Sequence, residues 1–197
     1  ITNTTGVNFE NKSNLLKILL PESLTSIGDE AFYGTAWYND QPDGVVYLNN
    51  NLINYKGEMP ENTSIEIAEG TKTISANALM NYTNLIAVTI PESVTMMTMQ
   101  TFLGCTNLTS ITCKAVTPPS MGVAGSFNDY HYSTSTLYVP AAAMSAYKED
   151  GQWNFTNIKG IYAIDYVVDG ETIRTDEAKE GATVPFMEME KRKGYTF

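Results

Sequence analysis

Apolar and polar positions alternate along much of this chain, and the period changes at regular places. Val88-x-Ile90, Ile18-x-Leu20 and Ile111-x-Cys113 alternate with a period of two, which predicts short strands with one buried face. Pro21 and Pro91 close two of these strands, because proline has no N–H to give to a ladder. Beyond Pro21 the spacing lengthens. Ile27, Ala31 and Phe32 fall at i, i+4 and i+5, on one face of a helical turn. Gly34 then stands where a helical turn commonly ends in a left-handed conformation.

The pattern recurs. Asn14 to Gly34 aligns with Asn84 to Gly104: Asn14 with Asn84, Leu15 with Leu85, Ile18 and Leu20 with Val88 and Ile90. Pro21-Glu22-Ser23 is identical to Pro91-Glu92-Ser93, and Phe32-Tyr33-Gly34 matches Phe102-Leu103-Gly104. The offset of 70 residues is three periods of about 23. A further copy carries Ile65, Ile67, Thr71, Ile74, Ala78 and Leu79, and another begins at Asn107-Leu108. In the copy at 65–81 the glycine slot is Asn81, the other residue that tolerates positive φ. A period of this length predicts a solenoid, whose units bury their apolar faces only by stacking.

Two stretches break the period. Residues 35–60 hold a turn-rich insert around Trp37-Tyr38 and then a hairpin, Val45 to Tyr55, with its turn in the run Asn49-Asn50-Asn51. Residues 115–136 read as a loop with Phe127, Tyr130, His131 and Tyr132. Leu137-Tyr138-Val139-Pro140 restores the strand-then-proline unit, and Ala141 to Glu149 follows as a helix. Residues 137–160 are expected to cap the solenoid, with Trp153, Phe155 and Ile158 closing its core. From Ile161 the composition changes, and Tyr162 to Thr175 predicts a hairpin about Asp169-Gly170.

The string Asn-Leu-x-x-Ile-x-Leu-Pro-x-Ser-Leu-x-x-Ile-x-x-x-Ala-Phe-x-Gly resembles the BspA-like leucine-rich repeats of bacterial surface proteins, over about residues 10–160. Met96, Met97 and Met99, and Thr101 in the slot of Ala31, depart from that pattern and suggest softer packing. Gly181 to Pro185 and Lys193 to Phe197 resemble the Listeria–Bacteroides repeat, a small β-rich surface-protein module, here incomplete. The expected fold is therefore an α/β solenoid of about five units, a leucine-rich repeat with short strands on one face and short helical turns on the other. It spans 1–160, with a β-hairpin module over 161–197. The resemblance implies adhesion to, or recognition of, a protein or glycan on a host or neighbouring cell, at the cell surface or outside it.

Composition narrows the function. A net charge of −10 argues against nucleic acid or an anionic membrane as the main partner. No apolar run is long enough to span a bilayer, so direct membrane insertion is not expected, and the chain is expected to be a monomer. Ile1 and Phe197 look like cuts through a longer protein. Cys105 and Cys113 fall in different parts of one coil and are expected to be buried free thiols, the lesser alternative being the bridge that secretion would permit. With one histidine and no Cys/His cluster, neither a metal nor a cofactor is expected.

No catalytic set emerges. The adjacent acids Asp29-Glu30, Glu149-Asp150 and Asp176-Glu177 could in principle serve glycoside hydrolysis, but adjacent acids in turns are usually solvated. Ser23 and Ser93 repeat and so suit a turn role, and Asn14, Asn84 and Asn107 suit backbone bonding at repeat junctions. The strand side chains between the buried ones, Lys17, Leu19, Glu66, Ala87, Thr89, Ser110, Thr112 and Tyr138, are expected to line a continuous, neutral sheet face. The aromatic inserts are better anchors for a partner: Trp37 and Tyr38, and Tyr130, His131 and Tyr132, with Tyr138 on the sheet. The competing reading of these side chains is that they cover the adjacent coil, and of His131 that it is an exposed loop residue. The expected function is a non-catalytic interaction module. The alternatives are a structural spacer in a larger surface protein and, third, a β-helix enzyme acting on polysaccharide, which the helical spacing of Ala31-Phe32-x-Gly34 disfavours.

Overall fold

The computed structural model describes residues 9–20, 27, 30–123 and 125–183. Val7, the turn Pro21-Glu22-Ser23, Asp29 and the module strings from Val184 to Phe197 lie outside the described residues.

The elements follow the chain as α1 (Ala36–Asn39), β1 (Gly44–Leu48), β2 (Asn51–Lys56), β3 (Thr63–Glu66), β4 (Thr73–Ile74), β5 (Leu85–Ile90), β6 (Met96–Met97), β7 (Ser110–Cys113), β8 (Ser120–Met121), α2 (Asp129–Thr134), β9 (Thr136–Pro140), α3 (Met144–Glu149), β10 (Asn157–Val168) and β11 (Glu171–Lys179). They build two sheets. One runs β3-β5-β7-β9-β10-β11 and the other β1-β2-β4-β6-β8. Successive coils contribute one parallel strand to each, the arrangement of a solenoid. Ile65 pairs with Val88, Val88 with Ile111 and Ile111 with Leu137, so the period of about 23 read from the sequence is the strand register itself. Each member of that column is buried.

The core lies between the two sheets. Ile67, Ile74, Leu79, Leu85, Val88, Ile90, Met97, Phe102, Leu108, Ile111 and Leu137 belong to one cluster that continues into the cap. A second cluster, Ile27, Ala31, Phe32 and Leu48, fills the first coil with Phe9, Leu15, Ile18, Leu20 and Trp37 packed on it. Residues 15–20 alternate as expected, with Leu16 and Leu19 78% and 81% exposed, yet they pair with no described strand.

The second sheet is not legible in the hydrophobic pattern, and it replaces the expected helical turns. Glu30, Asn77 and Gln100 each have positive φ, at 51°, 56° and 58°. An α-helix cannot continue through a left-handed residue. Each of these residues instead opens a tight turn: Tyr33 N–H to Glu30 C=O (2.9 Å), Met80 N–H to Asn77 C=O (3.0 Å), Leu103 N–H to Gln100 C=O (3.1 Å). The glycine-slot residues Gly34, Asn81 and Gly104 have φ of 69°, 66° and 79°, one backbone geometry shared by three coils.

Hydroxyl and amide side chains tie each coil to the one before. Thr98 Oγ1 donates to Ile74 C=O, Asn84 Nδ2 to Met59 C=O and Asn107 Nδ2 to Thr83 C=O. Ser93 Oγ accepts from Gly70 N–H, so its role is a bond between coils as well as a turn.

Two regions differ from the expected layout. The segment expected as a loop at 115–136 contains β8 and α2, the latter started by Asn128, whose side chain accepts from His131 N–H. Residue 160 falls within β10. β10 pairs in parallel with β9 through Ile161 and antiparallel with β11 from Ile161 onward, turning at Asp169-Gly170, both at positive φ. The sheet curls enough for Lys114, next after β7, to reach Glu177 on β11 at 2.9 Å.

The last coil is closed by aromatic rings. Trp153 and Phe155 are buried, Trp153 Nε1 donates to Pro119 C=O and the Tyr147 hydroxyl to Ala115 C=O. Gln152 completes the edge at β8: its side chain accepts from Met121 N–H and donates to Met121 C=O, as a neighbouring strand would.

Candidate functional site

The turns of the first three coils, α1 and the end of β2 enclose a groove of about 790 Å³. Four tyrosines line it, Tyr33, Tyr38, Tyr55 and Tyr82, with Asn54, Lys56 and Glu30 among them.

Local structure places each ring. Thr35 Oγ1 donates to Phe32 C=O and accepts from Tyr38 N–H, which starts α1 and sets Tyr38 in the floor of the groove, 6% exposed. Tyr33 precedes Gly34 on the rim, 50% exposed, with its ring centre 5.7 Å from that of Tyr38. The β1–β2 hairpin carries Asn54, Tyr55 and Lys56, and Tyr55 N–H bonds Ala78 C=O of the next coil. Tyr82 follows Asn81. Its ring lies 5.0 Å from that of Tyr55, and its hydroxyl donates to Tyr55 C=O. The groove wall is therefore two tilted pairs of tyrosine rings, held by backbone bonds between coils.

The polar groups are few. Asn54 Nδ2 donates to the Tyr38 hydroxyl oxygen at 2.7 Å, and Asn54 Oδ1 is buried with no hydrogen-bond partner among the described residues. Lys56 Nζ donates to the carbonyls of Asn39 (2.7 Å) and Gln41, and stands 5.9 Å from the centre of the Tyr38 ring. Burial pushes the Tyr38 phenol up from its ordinary pKa, against the lowering effect of the Asn54 bond, and burial likewise raises Tyr82. Both phenols are neutral at physiological pH.

The six residues expected to bind a partner do not form one site. Trp37 sits edge-on against Phe32 in the first-coil cluster, so its ring covers the coil. Tyr38 alone of the six lines this groove. Tyr130 is 47% exposed on α2, at the far end of the coils, outside it. His131 is neither an anchor nor an exposed loop residue. It is 1% exposed, its Nε2 lies 3.0 Å from Cys105 C=O, and its Nδ1 faces Asn128 N–H. That pairing requires a neutral ring with the proton on Nε2, and burial lowers its pKa. Tyr132 packs on Phe127 and Phe155 and donates to Gln152 C=O, which makes it part of the cap. Tyr138 lies on the sheet face under Lys179, whose amine stands 4.3 Å from its ring centre.

That contact also interrupts the expected open face. Glu66, Thr89, Thr112 and Tyr138 do lie side by side across β3, β5, β7 and β9. The curl of β11 covers the last of them, and Thr112 is buried.

The pattern missed Tyr33, Tyr55, Tyr82 and Asn54. Tyr33 and Tyr82 flank positive-φ residues of their coils, Gly34 and Asn81, which is a readable signal. Tyr55 and Asn54 lie in the aperiodic insert and have none.

Elsewhere, Cys105 and Cys113 are free and buried, with thiols pushed up to about 11 by that burial. No metal-binding cluster and no helix long and apolar enough to cross a membrane occurs among the described residues. The model of the BspA type leucine rich repeat region matches residues 2–118 in six copies. No curated protein and no solved structure matches the chain.

Proposed function

We propose a function from one premise: this chain belongs to the BspA-type leucine-rich repeat family. It acts as a non-catalytic interaction module of a bacterial surface protein, and the tyrosine-lined groove is where it holds its partner. The observation that carries this reading is the assembly of Tyr33, Tyr38, Tyr55 and Tyr82 around one groove from separate coils. Of the four, Tyr33 is exposed and Tyr55 and Tyr82 are half-buried, and accessible tyrosine rings give large contact area at small entropic cost, which suits recognition. The family's link to surface proteins supports a place at or outside the cell surface. We read residues 161–197 as a further β-rich surface module and the chain as a monomer.

Among the described residues that line the groove, Glu30 is the one carboxylate, and hydrolysis by paired carboxylates needs two. Asp150 caps Gln152 N–H, Asp176 pairs with Arg174 and Glu177 with Lys114, all away from the groove.

An array carrying glycans and matrix proteins tests the reading. Binding to at least one spot, weakened by Tyr33→Ala, is expected. A blank array favours the structural spacer.

A further inference from the structure

We propose that the β10–β11 hairpin is a strap over one end of the outer sheet face, closed by two exposed contacts and opened when they are broken. Closed, it covers Thr112 and Tyr138; open, it presents them to solvent or to a partner. None of its residues lines the tyrosine groove, so the strap goes beyond the interaction-module reading and does not depend on it.

β10 pairs with β9 as far as Ile161, and beyond that point β11 is its one strand partner among the described residues. Gly160 stands at this junction, and a glycine within a strand allows a tight bend. The hairpin returns to the sheet at two points. Lys179 Nζ stands 4.3 Å from the centre of the Tyr138 ring on β9, and Glu177 reaches Lys114, just past β7, at 2.9 Å. Thr112 lies between them: two residues before Lys114 on the same face of the chain, and opposite Tyr138 in register. It is 4% exposed, whereas Thr89, its register partner one coil back, is half-buried. The pleat turns both threonines to the outer face. The extra cover at Thr112 therefore comes from the end of the face where the Tyr138 ring and the hairpin meet.

Little else holds the hairpin down. No residue of β11 belongs to either core cluster, and β11 is exposed along its length apart from the half-buried Asp176 and Ala178. A two-stranded hairpin is marginally stable by itself, and elements with few buried contacts open at low free energy. An exposed ion pair, or an exposed cation over a ring, favours the closed form by no more than about fivefold. Both contacts are electrostatic, so salt weakens both. The closed form is thus held by a margin that salt, or a competing charged group at Lys179 or Glu177, removes.

Thiol labelling of the full chain tests the strap. Cys105 and Cys113 are buried, with thiols pushed up to about 11, so in the parent they should react slowly and report global unfolding. Thr112→Cys places a thiol beneath the strap. Its labelling by an aromatic disulfide reagent, measured relative to free cysteine, should rise about twofold to fivefold on adding Lys179→Ala, and also in 1 M salt. Cys105 and Cys113 should stay unlabelled over the same time. A second readout needs no new thiol. Lys114→Ala breaks the other contact and leaves Tyr138 and Lys179 in place, so nitration of Tyr138, read by mass spectrometry, should rise by a similar factor. Labelling of Thr112→Cys as fast as free cysteine in every condition, or indifferent to both Lys179→Ala and salt, overturns the proposal. So does labelling that rises only together with that of Cys105 and Cys113, or Tyr138 nitration unchanged by Lys114→Ala.

Discussion

The side-chain oxygen of Asn81 occupies the space that a β-carbon on Gly104 would need, one coil further along the solenoid. The two strands of backbone are drawn together there by Asn81 N–H bonding Leu103 C=O at 2.7 Å. The same relationship joins Asn11 to Gly34, with Asn11 N–H bonding Tyr33 C=O at 2.8 Å. Glycine is required twice at these positions, for its positive φ and for the close approach of the preceding coil.

Gly104→Ala should therefore destabilise the protein by more than the roughly 1–2 kcal/mol of a left-handed alanine alone. Gly170→Ala supplies the comparison: Gly170 also has positive φ, but a β-carbon there meets nothing within 4 Å. Urea denaturation should show the larger loss at Gly104. In an Asn81→Gly background, which keeps the backbone freedom and removes the obstruction, the loss from Gly104→Ala should shrink. A loss identical in both backgrounds would mean that the asparagine contact contributes nothing.

Phe102 is fully buried and stacks on Phe127, with ring centres 4.9 Å apart and planes 7° from parallel. It links the repeating coils to the aromatic cap, because Phe127 in turn touches Trp153 and Phe155. Phe102→Ala should cost about 3–5 kcal/mol through the cavity left behind. For a chain of this length that corresponds to a fall in melting temperature of roughly 6–20 °C. A melting temperature within a degree of the parent would refute the placement.

What could be read from the sequence is what repeats. Ile65, Val88 and Ile111 pair across 23 residues each and Ile111 with Leu137 across 26, and a nearly fixed period converts those distant contacts into a local pattern. The glycine slot was legible for the same reason, since Asn81 fills it with the same geometry. The second sheet was not, because its strands β4, β6 and β8 are two residues each, too short to show an alternation, and the turns that follow carry positive φ at Glu30 and Gln100, residue types with no preference for that conformation. His131 depended on the carbonyl of Cys105, one coil back, reached from a stretch where the repeat pattern breaks. The groove was invisible in most of its parts because Asn54, Tyr55 and Lys56 come from the insert that broke the period.

The Lys114–Glu177 pair holds the curled sheet together across β9 and β10, yet both side chains face solvent, at 31% and 60% exposure. Such pairs contribute roughly 0.2–1 kcal/mol. A double-mutant cycle with Lys114→Ala and Glu177→Ala should return a coupling in that range. In 1 M salt, where the screening length falls to about 3 Å, the coupling should approach zero. Coupling that persists in salt would show that the pair is held away from water by the hairpin.

His131 makes stability depend on pH in a direction that its two ring contacts determine. Nε2 faces the carbonyl of Cys105 and Nδ1 faces the N–H of Asn128, so the folded protein holds the neutral ring. Burial, the dominant cause, lowers its pKa below the ordinary 6.5, while the Cys105 bond opposes this in part. The unfolded chain therefore takes up the proton first as pH falls, and the folded state binds fewer protons. The contribution of His131 is complete above about pH 6.5 and is lost progressively as pH drops from there through the folded-state pKa. It is the chain's single histidine, so the loss between about pH 6.5 and 5 should trace to it. His131→Gln can still donate to Cys105 C=O but cannot ionise. It should be less stable than the parent at pH 8 and should show a flatter profile of denaturation midpoint against pH down to about 5. An equally steep profile in the variant would place the acid sensitivity elsewhere, among the carboxylates.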